Sequence, residues 1–268
     1  MTTVVTIHQP NFMLWTKLLD KILASDVYVA YDTVQYTKSE YHSRQKIRNS
    51  SGEMWLSVPV IHDRYQPLES VRIDDQQRFR RKHLRTIHQE YRRSPHFDDV
   101  YRIVSEVYDA EHDHLVDLNL ALIEGFCRYL QSPVRVIRAS SLPHEGDNTD
   151  RLIQLVRGAG GSHHLTSTYG TEREYIDWTR VMESGIGLCR QEFEHPVYRQ
   201  MAPEFVPCLS ALDMLFCCGP DTRRILEARR QIVDIEQAEP PAGTSADVAA
   251  TQAAMHICSF STLQQQII

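Results

Sequence analysis

The sequence predicts an α/β fold: a doubly wound, mostly parallel sheet that carries a helical insertion subdomain. Short apolar runs typical of buried strands alternate with helical segments in both the first and the last part of the chain. Between these parts, three helical segments follow one another without a strand. We therefore expect a single α/β domain over residues 1–235, with the helical insertion at about 76–131, and a flexible C-terminal tail at 236–268.

The first elements are a strand, a helix and a second strand. Thr3 to Ile7 is an apolar run typical of a buried strand. The segment from Asn11 to Leu23 predicts a helix, because its apolar residues recur at helical spacing. Val27 to Tyr31 predicts the next strand. After a polar stretch from Gln35 to Glu53, two further strands are expected at Met54–Val60 and Ser70–Ile73.

The middle of the chain is helical, and the alternation of strands and helices then resumes. The three successive helices are expected at Gln76–Arg93, His96–Ala110 and His112–Leu130. The later strands are expected at Val134–Ile137, His163–Thr166 and Gly187–Phe193, and the later helices at Thr149–Ala159, Glu172–Glu183, Ser210–Cys218 and Asp221–Gln231. From about Glu236 the chain is rich in Ala, Thr, Pro, Gly and Gln, which predicts the flexible tail.

The composition is that of an ordinary globular protein and argues against several classes. Of the 268 residues, 42% are hydrophobic and 24% are charged, and the net charge of -6 gives no broad electrostatic case for nucleic acid. No apolar run approaches the ~18 residues that a membrane helix needs. The N-terminus shows no signal peptide, and the six cysteines lack the spacing of zinc sites. We therefore expect a cytoplasmic protein with reduced thiols, no metal and no cofactor.

Polar residues at strand ends predict a small-molecule site. His8 and Gln9 directly follow the first strand, and Asp32 follows the second. Ligands of open α/β sheets bind outside the carboxyl ends of the strands. His8 is the candidate general base, because the ordinary pKa of histidine lies near working pH, and Asp32 could orient its ring or bind an amine. A buried histidine satisfied by backbone is the alternative for His8.

A second histidine and several polar residues complete the candidate set. His195 follows the strand that ends at Phe193, so it is a second acid or base candidate, and Tyr198 could bind substrate. Arg44 and Lys46 lie in a basic cluster suited to phosphate or carboxylate, unless that cluster is only a solvated loop. Asp213 lies in an apolar helix, either as a functional carboxylate or as a structural partner. A basic helix carrying Arg80, Arg81 and Arg85 could dock an acidic carrier protein, although an ordinary solvated face is the simpler interpretation.

Six short segments, in a fixed order along roughly residues 3–221, carry a family resemblance: Ile7–Asn11, Ala24–Tyr36, Arg44–Ile47, Trp55–Val60, His195–Gln200 and Ser210–Phe216. Taken together, they resemble the WbqC-like family, which is found in bacterial gene clusters for O-antigen and other specialised products. Asn11 and Gln35 lie in these motifs and join Gln9 as expected substrate-binding residues. The chain departs from the family pattern at Thr33, Tyr41 and Ser43, and of a glycine-rich turn at 167–170 only Gly170 remains. These positions belong to the expected pocket, so the substrate could differ from that of other family members.

The resemblance implies a transferase-like step on an activated donor. We expect an acyl- or aminoacyl-transferase that uses a thioester or a nucleotide-sugar, with a small-molecule or carrier-bound substrate and no nucleic-acid or membrane partner. A nucleotidyl transferase and a non-catalytic binding protein of the same pathway are the two alternatives.

Overall fold

A computed structural model describes residues 2–167 and 175–235 of the chain. Its main sheet has six strands in the order β7-β2-β1-β8-β9-β10. The strands are β1 (Val4–His8), β2 (Val27–Ala30), β7 (Arg135–Arg138), β8 (His163–Thr166), β9 (Gly187–Phe193) and β10 (Arg230–Ile235). All neighbours are parallel except β10, which runs antiparallel to β9. The mostly parallel, doubly wound sheet confirms the predicted fold class.

The sheet reverses its strand order between β1 and β8. The chain places β2 and β7 on one side of β1, and then returns to add β8, β9 and β10 on the other side. His8 of β1 lies opposite Ala30 of β2, so the carboxyl ends of these two strands meet at one edge of the sheet. Such a reversal leaves a crevice between the loops that follow the two central strands.

Helices cover both faces of the sheet. One face packs Val5 and Ile7 against α5 and α6, with Leu152 and Val181 in the shared core. The other face packs against α1 and α7, whose core is continuous with that of the three central helices. The helices are α1 (Thr16–Leu23), α2 (Phe79–Tyr91), α3 (Phe97–Asp109), α4 (Leu115–Tyr129), α5 (Asn148–Gly158), α6 (Trp178–Glu183), α7 (Ala211–Cys218) and α8 (Asp221–Glu227).

The segment between β2 and β7 contains two hairpins as well as the helices α2 to α4. The first hairpin pairs β3 (Arg44–Asn49) with β4 (Gly52–Ser57), and the second pairs β5 (Val60–Ile61) with β6 (Arg72–Ile73). β3 lies inside the stretch that the sequence predicts only as polar. Its buried positions include Gln45 as well as Ile47. Because Gln45 is polar, the sequence does not show the alternation of apolar and polar residues that predicts a strand.

Two other elements differ from the sequence prediction. α1 begins at Thr16, five residues later than expected, because the backbone before it is engaged elsewhere: Phe12 N–H donates to the Tyr41 carbonyl, and Met13 has a positive φ of 43°. The last helix ends at Glu227, and the chain then forms β10 against β9. The first residues of the helix expected at 172–183, the turn at 168–170 and the expected tail at 236–268 lie outside the described residues.

Candidate functional site

His8 lies at the carboxyl end of β1, beside the point where the strand order reverses. The residue is half-buried, and its Nδ1 lies 2.9 Å from the carbonyl oxygen of Gln9. Since a carbonyl can only accept, the proton of the neutral ring is on Nδ1 and the lone pair is on Nε2. Nε2 makes no hydrogen bond among the described residues. His8 therefore presents a proton-accepting nitrogen at the edge of the sheet.

A second histidine, His42, lies beside His8 and is fully buried. His42 Nε2 donates to Gln9 Oε1 over 2.5 Å, so the Gln9 side chain and backbone each hold one of the two rings. Asn119 of α4 fixes this corner by donating to the carbonyls of Pro10 and His42, each over 2.8 Å. His42 Nδ1 is buried without a hydrogen-bond partner in the described part of the chain.

The surroundings of His8 disfavour positive charge. Burial lowers the pKa of His8 to about 3, and Lys21 and His42 add to this effect by electrostatic repulsion. Burial alone lowers the pKa of His42 to about 4. Both rings are therefore neutral at pH 7.

A row of aromatic rings leads from His8 to the first hairpin. The ring centroids are 6.0 Å apart for His8 and Trp15, 5.3 Å for Trp15 and Tyr41, and 5.9 Å for Tyr41 and Trp55. The Arg44 guanidinium lies 4.3 Å from the Trp55 ring centroid. The row of rings thus connects His8, the candidate general base, to Arg44, the residue predicted to bind an anion.

Arg44 also lines a cleft beside this hairpin. The cleft has a volume of about 470 Å³ and is formed by the loop after β2, the two hairpins and the start of α2. Its lining residues are Tyr36, Lys38, Ser39, Ser43, Arg44, Ser57, Val58, Pro59, Val60, His62, Gln77, Phe79, Lys82 and His83. The Tyr36 ring lies 5.9 Å from the ring of His42, so the cleft and the histidine pair are neighbours.

Asp32 lies at the same edge but is bound to another loop. Its two carboxylate oxygens accept from the backbone N–H of Ser140 at 2.9 Å and from the Ser140 hydroxyl at 2.7 Å. Among the described residues, no hydrogen bond joins Asp32 to His8. Asp32 thereby holds the turn after β7, and any role on substrate would come in addition to that one.

His195, Tyr198 and Asp213 belong to a different part of the molecule. His195 follows β9, two strands away from β1, where its Nδ1 donates to the Pro196 carbonyl and its Nε2 accepts from Cys208 N–H. Asp213 is fully buried and accepts from the hydroxyls of Tyr198 and Tyr91, at 2.8 and 2.9 Å. The structure does not bring these three residues into contact with His8 among the described contacts.

The remaining predicted residues have mixed surroundings. Asn11 is buried in the loop after β1, whereas Gln35 is exposed and pairs through its backbone with Pro67. Lys46 forms an ion pair with Glu53 and lies 5.2 Å from the Trp55 ring centroid.

The basic helix is α2, and its cations have different roles. Arg80 pairs with Asp75 and donates to the His112 carbonyl at 2.9 Å, whereas Arg81 and Arg85 are exposed. Lys82 is the cation of this helix that lines the cleft.

Sequence reasoning missed His42, Tyr36 and Lys82. His42 could have been found only as a histidine inside the polar stretch, because no pattern ties it to Gln9 across 33 positions. Lys82 lies among the arginines of α2, and no sequence pattern distinguishes it from them.

Cysteine, metal and membrane features are as follows. Cys127, Cys189, Cys217 and Cys218 are free thiols, and burial raises the pKa of each. The described residues contain no group of three or more His, Cys, Asp or Glu side chains that could hold a metal ion. They also contain no helix with the length and apolar character required to span a bilayer.

The fold and this edge define an α/β protein with a doubly wound sheet and a histidine pair at its strand-order reversal. The chain belongs to the WbqC-like protein family, whose model matches residues 9–225. It is also similar to the uncharacterized protein Rv1507c of Mycobacterium tuberculosis (strain ATCC 25618 / H37Rv), with 27% identity over 230 residues, which is 85% of this chain and 99% of that protein. The family resemblance predicted from the motifs is confirmed. Gln9, His42 and the cleft residues fall inside the matched range, and His8 directly precedes it.

Proposed function

We propose that this protein is a transferase acting on an activated donor in bacterial polysaccharide or specialised-metabolite biosynthesis. The donor is an acyl or aminoacyl thioester or a nucleotide-sugar, and the reaction takes place in the cytoplasm. The observation that carries the proposal is His8: its tautomer is fixed by the Gln9 carbonyl, and its Nε2 lone pair is available at the strand-order reversal.

His8 acts as general base toward the acceptor. With a thioester donor, an amine or hydroxyl attacks the carbonyl carbon while Nε2 takes the proton of the nucleophile; the carbon–sulfur bond then breaks and that proton passes to the departing thiolate. With a nucleotide-sugar donor, the nucleophile attacks the anomeric carbon, Nε2 takes its proton, and the bond to the nucleoside diphosphate breaks, so that the diphosphate leaves with the bonding electrons. Gln9 keeps the ring oriented through its backbone, and its side chain fixes His42 behind it. Arg44 anchors an anionic part of the donor from its position on Trp55.

Because its pKa is low, His8 becomes an effective base only when the bound donor raises that pKa. A ring with a pKa of about 3 is a weak base in the free protein. Burial is the main cause of this low pKa, and an anion bound beside His8 would favour its charged form and raise its pKa toward working pH, where general bases are most effective. Base strength would then appear only when the donor is bound.

The test is a transfer assay with a panel of acyl and aminoacyl thioesters, nucleotide-sugars and amine or hydroxyl acceptors. We expect His8→Ala to lower turnover by about 10²–10⁴-fold while the circular dichroism and melting temperature stay close to wild type. His88→Ala serves as the matched control, because His88 is an exposed histidine of α2.

Three outcomes would contradict the proposal. Unchanged turnover in His8→Ala would remove His8 from the mechanism. Stabilisation by nucleoside triphosphate with magnesium, and by no other donor, would favour a nucleotidyl transferase. Binding without turnover for every donor and acceptor would favour a non-catalytic binding protein.

A further inference from the structure

The cleft beside the histidine pair has an unusual balance of charge. Lys38, Arg44 and Lys82 line it together with His62 and His83, and no carboxylate lines it. Glu40 interacts electrostatically with Arg44 but does not line the cleft. In a chain with a net charge of -6, such a local excess of cations points to an anionic ligand.

The three cations that line the cleft form no ion pairs with carboxylates among the described residues. Lys38 and Lys82 are exposed, and neither has an acidic partner among the described residues. Arg44 stacks on Trp55, and its Nε is buried without a hydrogen-bond partner in the described part of the chain. A ligand could therefore take up these charges without breaking an existing pair.

Hydroxyl groups and apolar side chains complete the cleft. Tyr36 and Ser43 are hydrogen bonded to each other at 2.9 Å, and Ser39 and Ser57 add two more hydroxyls. Phe79 and the segment 58–60 supply an apolar wall. A volume of about 470 Å³ lies in the ordinary range of small-molecule sites. The arrangement fits an anionic group attached to an organic moiety.

The number of cations in the cleft favours a phosphate over a carboxylate as the ligand. Three cations exceed what a single carboxylate would balance, whereas a phosphate monoester or diphosphate carries about two negative charges and several acceptor oxygens. We propose that this cleft binds the phosphate group of the donor substrate, with Lys38, Arg44 and Lys82 as its cationic ligands. This inference rests on the proposed function for the role of the ligand as donor, but phosphate binding itself can be measured without turnover.

The position of the cleft agrees with such a role. Tyr36 forms part of its wall and contacts His42, which is held by Gln9 next to His8. The cleft is thereby separated from His8 only by the buried contacts of Tyr36, His42 and Gln9, which puts the phosphate site next to the histidine pair. Two sources of the phosphate share this chemistry, a nucleotide-sugar and a phosphopantetheine arm.

The experiment is isothermal titration of the full chain with inorganic pyrophosphate, UDP and 4′-phosphopantetheine. Uridine and pantetheine, which lack phosphate, are the paired controls. We expect pyrophosphate and one of the two organic phosphates to bind, and the one that binds identifies the source. Dephosphorylation should weaken binding at least tenfold, and added salt should weaken binding of the phosphates.

The matched variants are Lys82→Ala and Arg81→Ala. Both residues are exposed on α2, but Lys82 lines the cleft and Arg81 does not. We expect Lys82→Ala to weaken phosphate binding about tenfold, the effect of losing one charge-assisted hydrogen bond, and Arg81→Ala to change it less than twofold. Arg44→Lys, which keeps the charge, should retain most of the binding that Arg44→Gln loses.

The experiments distinguish an incorrect phosphate-site proposal from an incorrect transferase proposal. Equal losses in Lys82→Ala and Arg81→Ala, absence of binding by all phosphates, or equal affinity for uridine and UDP would overturn the phosphate site, whatever His8 does. Phosphate binding that survives in His8→Gln supports the cleft independently of catalysis. If wild type binds phosphate through Lys82 but transfers no group, the phosphate site stands and only the transferase proposal fails.

Discussion

Three fully buried histidines make the stability of this protein depend steeply on pH. His42, His83 and His164 are at most 6% exposed, and burial lowers their pKa values to about 4, about 4 and about 3. In the unfolded chain each would take up its proton near pH 6.5. Their folded-state pKa values are depressed, so the stability they support is present above pH 6.5 and is lost as pH falls toward 4.

The magnitude follows from proton linkage. Between pH 7 and pH 5 each buried histidine lowers the free energy of unfolding by about 2 kcal/mol, or about 6 kcal/mol for the three. Asp20 acts in the opposite direction, because burial raises its pKa to about 6, and protonation in the folded state returns about 1 kcal/mol over the same interval. The net loss from these four groups is about 5 kcal/mol, which is comparable to the whole stability of an ordinary domain. His8, whose pKa is also lowered to about 3, acts in the same direction as the three histidines.

Urea denaturation at pH 7 and pH 5 measures this loss. With a slope of about 2.5 kcal/mol per molar urea, the midpoint should fall by about 2 M. His164→Gln should remove about 2 kcal/mol of the difference between the two pH values, because glutamine does not titrate. His88→Gln should leave the difference unchanged, since His88 is exposed. A midpoint shift below 0.5 M (about one quarter of the expected value), or equal pH dependence in His164→Gln and wild type, would refute neutral burial of these rings.

Two further predictions concern predicted site residues that the structure ties to other groups. Tyr198→Phe removes a hydrogen bond to the buried Asp213 carboxylate, so it should cost about 1.5–3 kcal/mol in urea denaturation and leave the KM for donor unchanged; a tenfold rise in KM would instead place Tyr198 at the substrate. Ser140→Ala removes one of the bonds that hold Asp32 and should cost about 1–2 kcal/mol, with turnover close to wild type. A loss of turnover as large as that of His8→Ala would mean that the Asp32 carboxylate acts in the reaction.

The central sheet could be predicted from the sequence because its first strands are apolar and its later strands are short segments between helices. β1 and β2 are short apolar runs, whereas β8 and β9 mix apolar and polar residues, and the parallel arrangement follows from the helices between the strands. The edge strand β10 was not predicted: three of its six residues are polar, including the first two, so the helix that precedes it was extended too far. β3 was missed for a related reason, since its buried Gln45 breaks the apolar pattern.

The candidate site was predictable only where it depends on strand ends. His8 and Asp32 fall at one edge because they follow adjacent parallel strands, which the order of elements implies. The partners of these residues depend on long-range packing instead: Ser140 reaches Asp32 from 108 positions away, and Asn119 reaches the Pro10 carbonyl from 109 positions away. No local pattern encodes such contacts, so the role of Asp32 as the partner of the 139–141 turn could not be foreseen.

The low pKa of His8 and the basic cleft support one interpretation of how the site works. Burial is the main reason that protonating His8 in the free protein is costly, and the charge of Lys21 adds to this cost. The cations that attract an anionic donor lie instead in the cleft, where Arg44, Lys38 and Lys82 line the wall. A donor phosphate held there would bring negative charge to the side of the histidine pair, which favours protonation of His8 as the nucleophile loses its proton. A neutral donor would bring no such charge, so an uncharged thioester should be a poor substrate even at concentrations that saturate the protein.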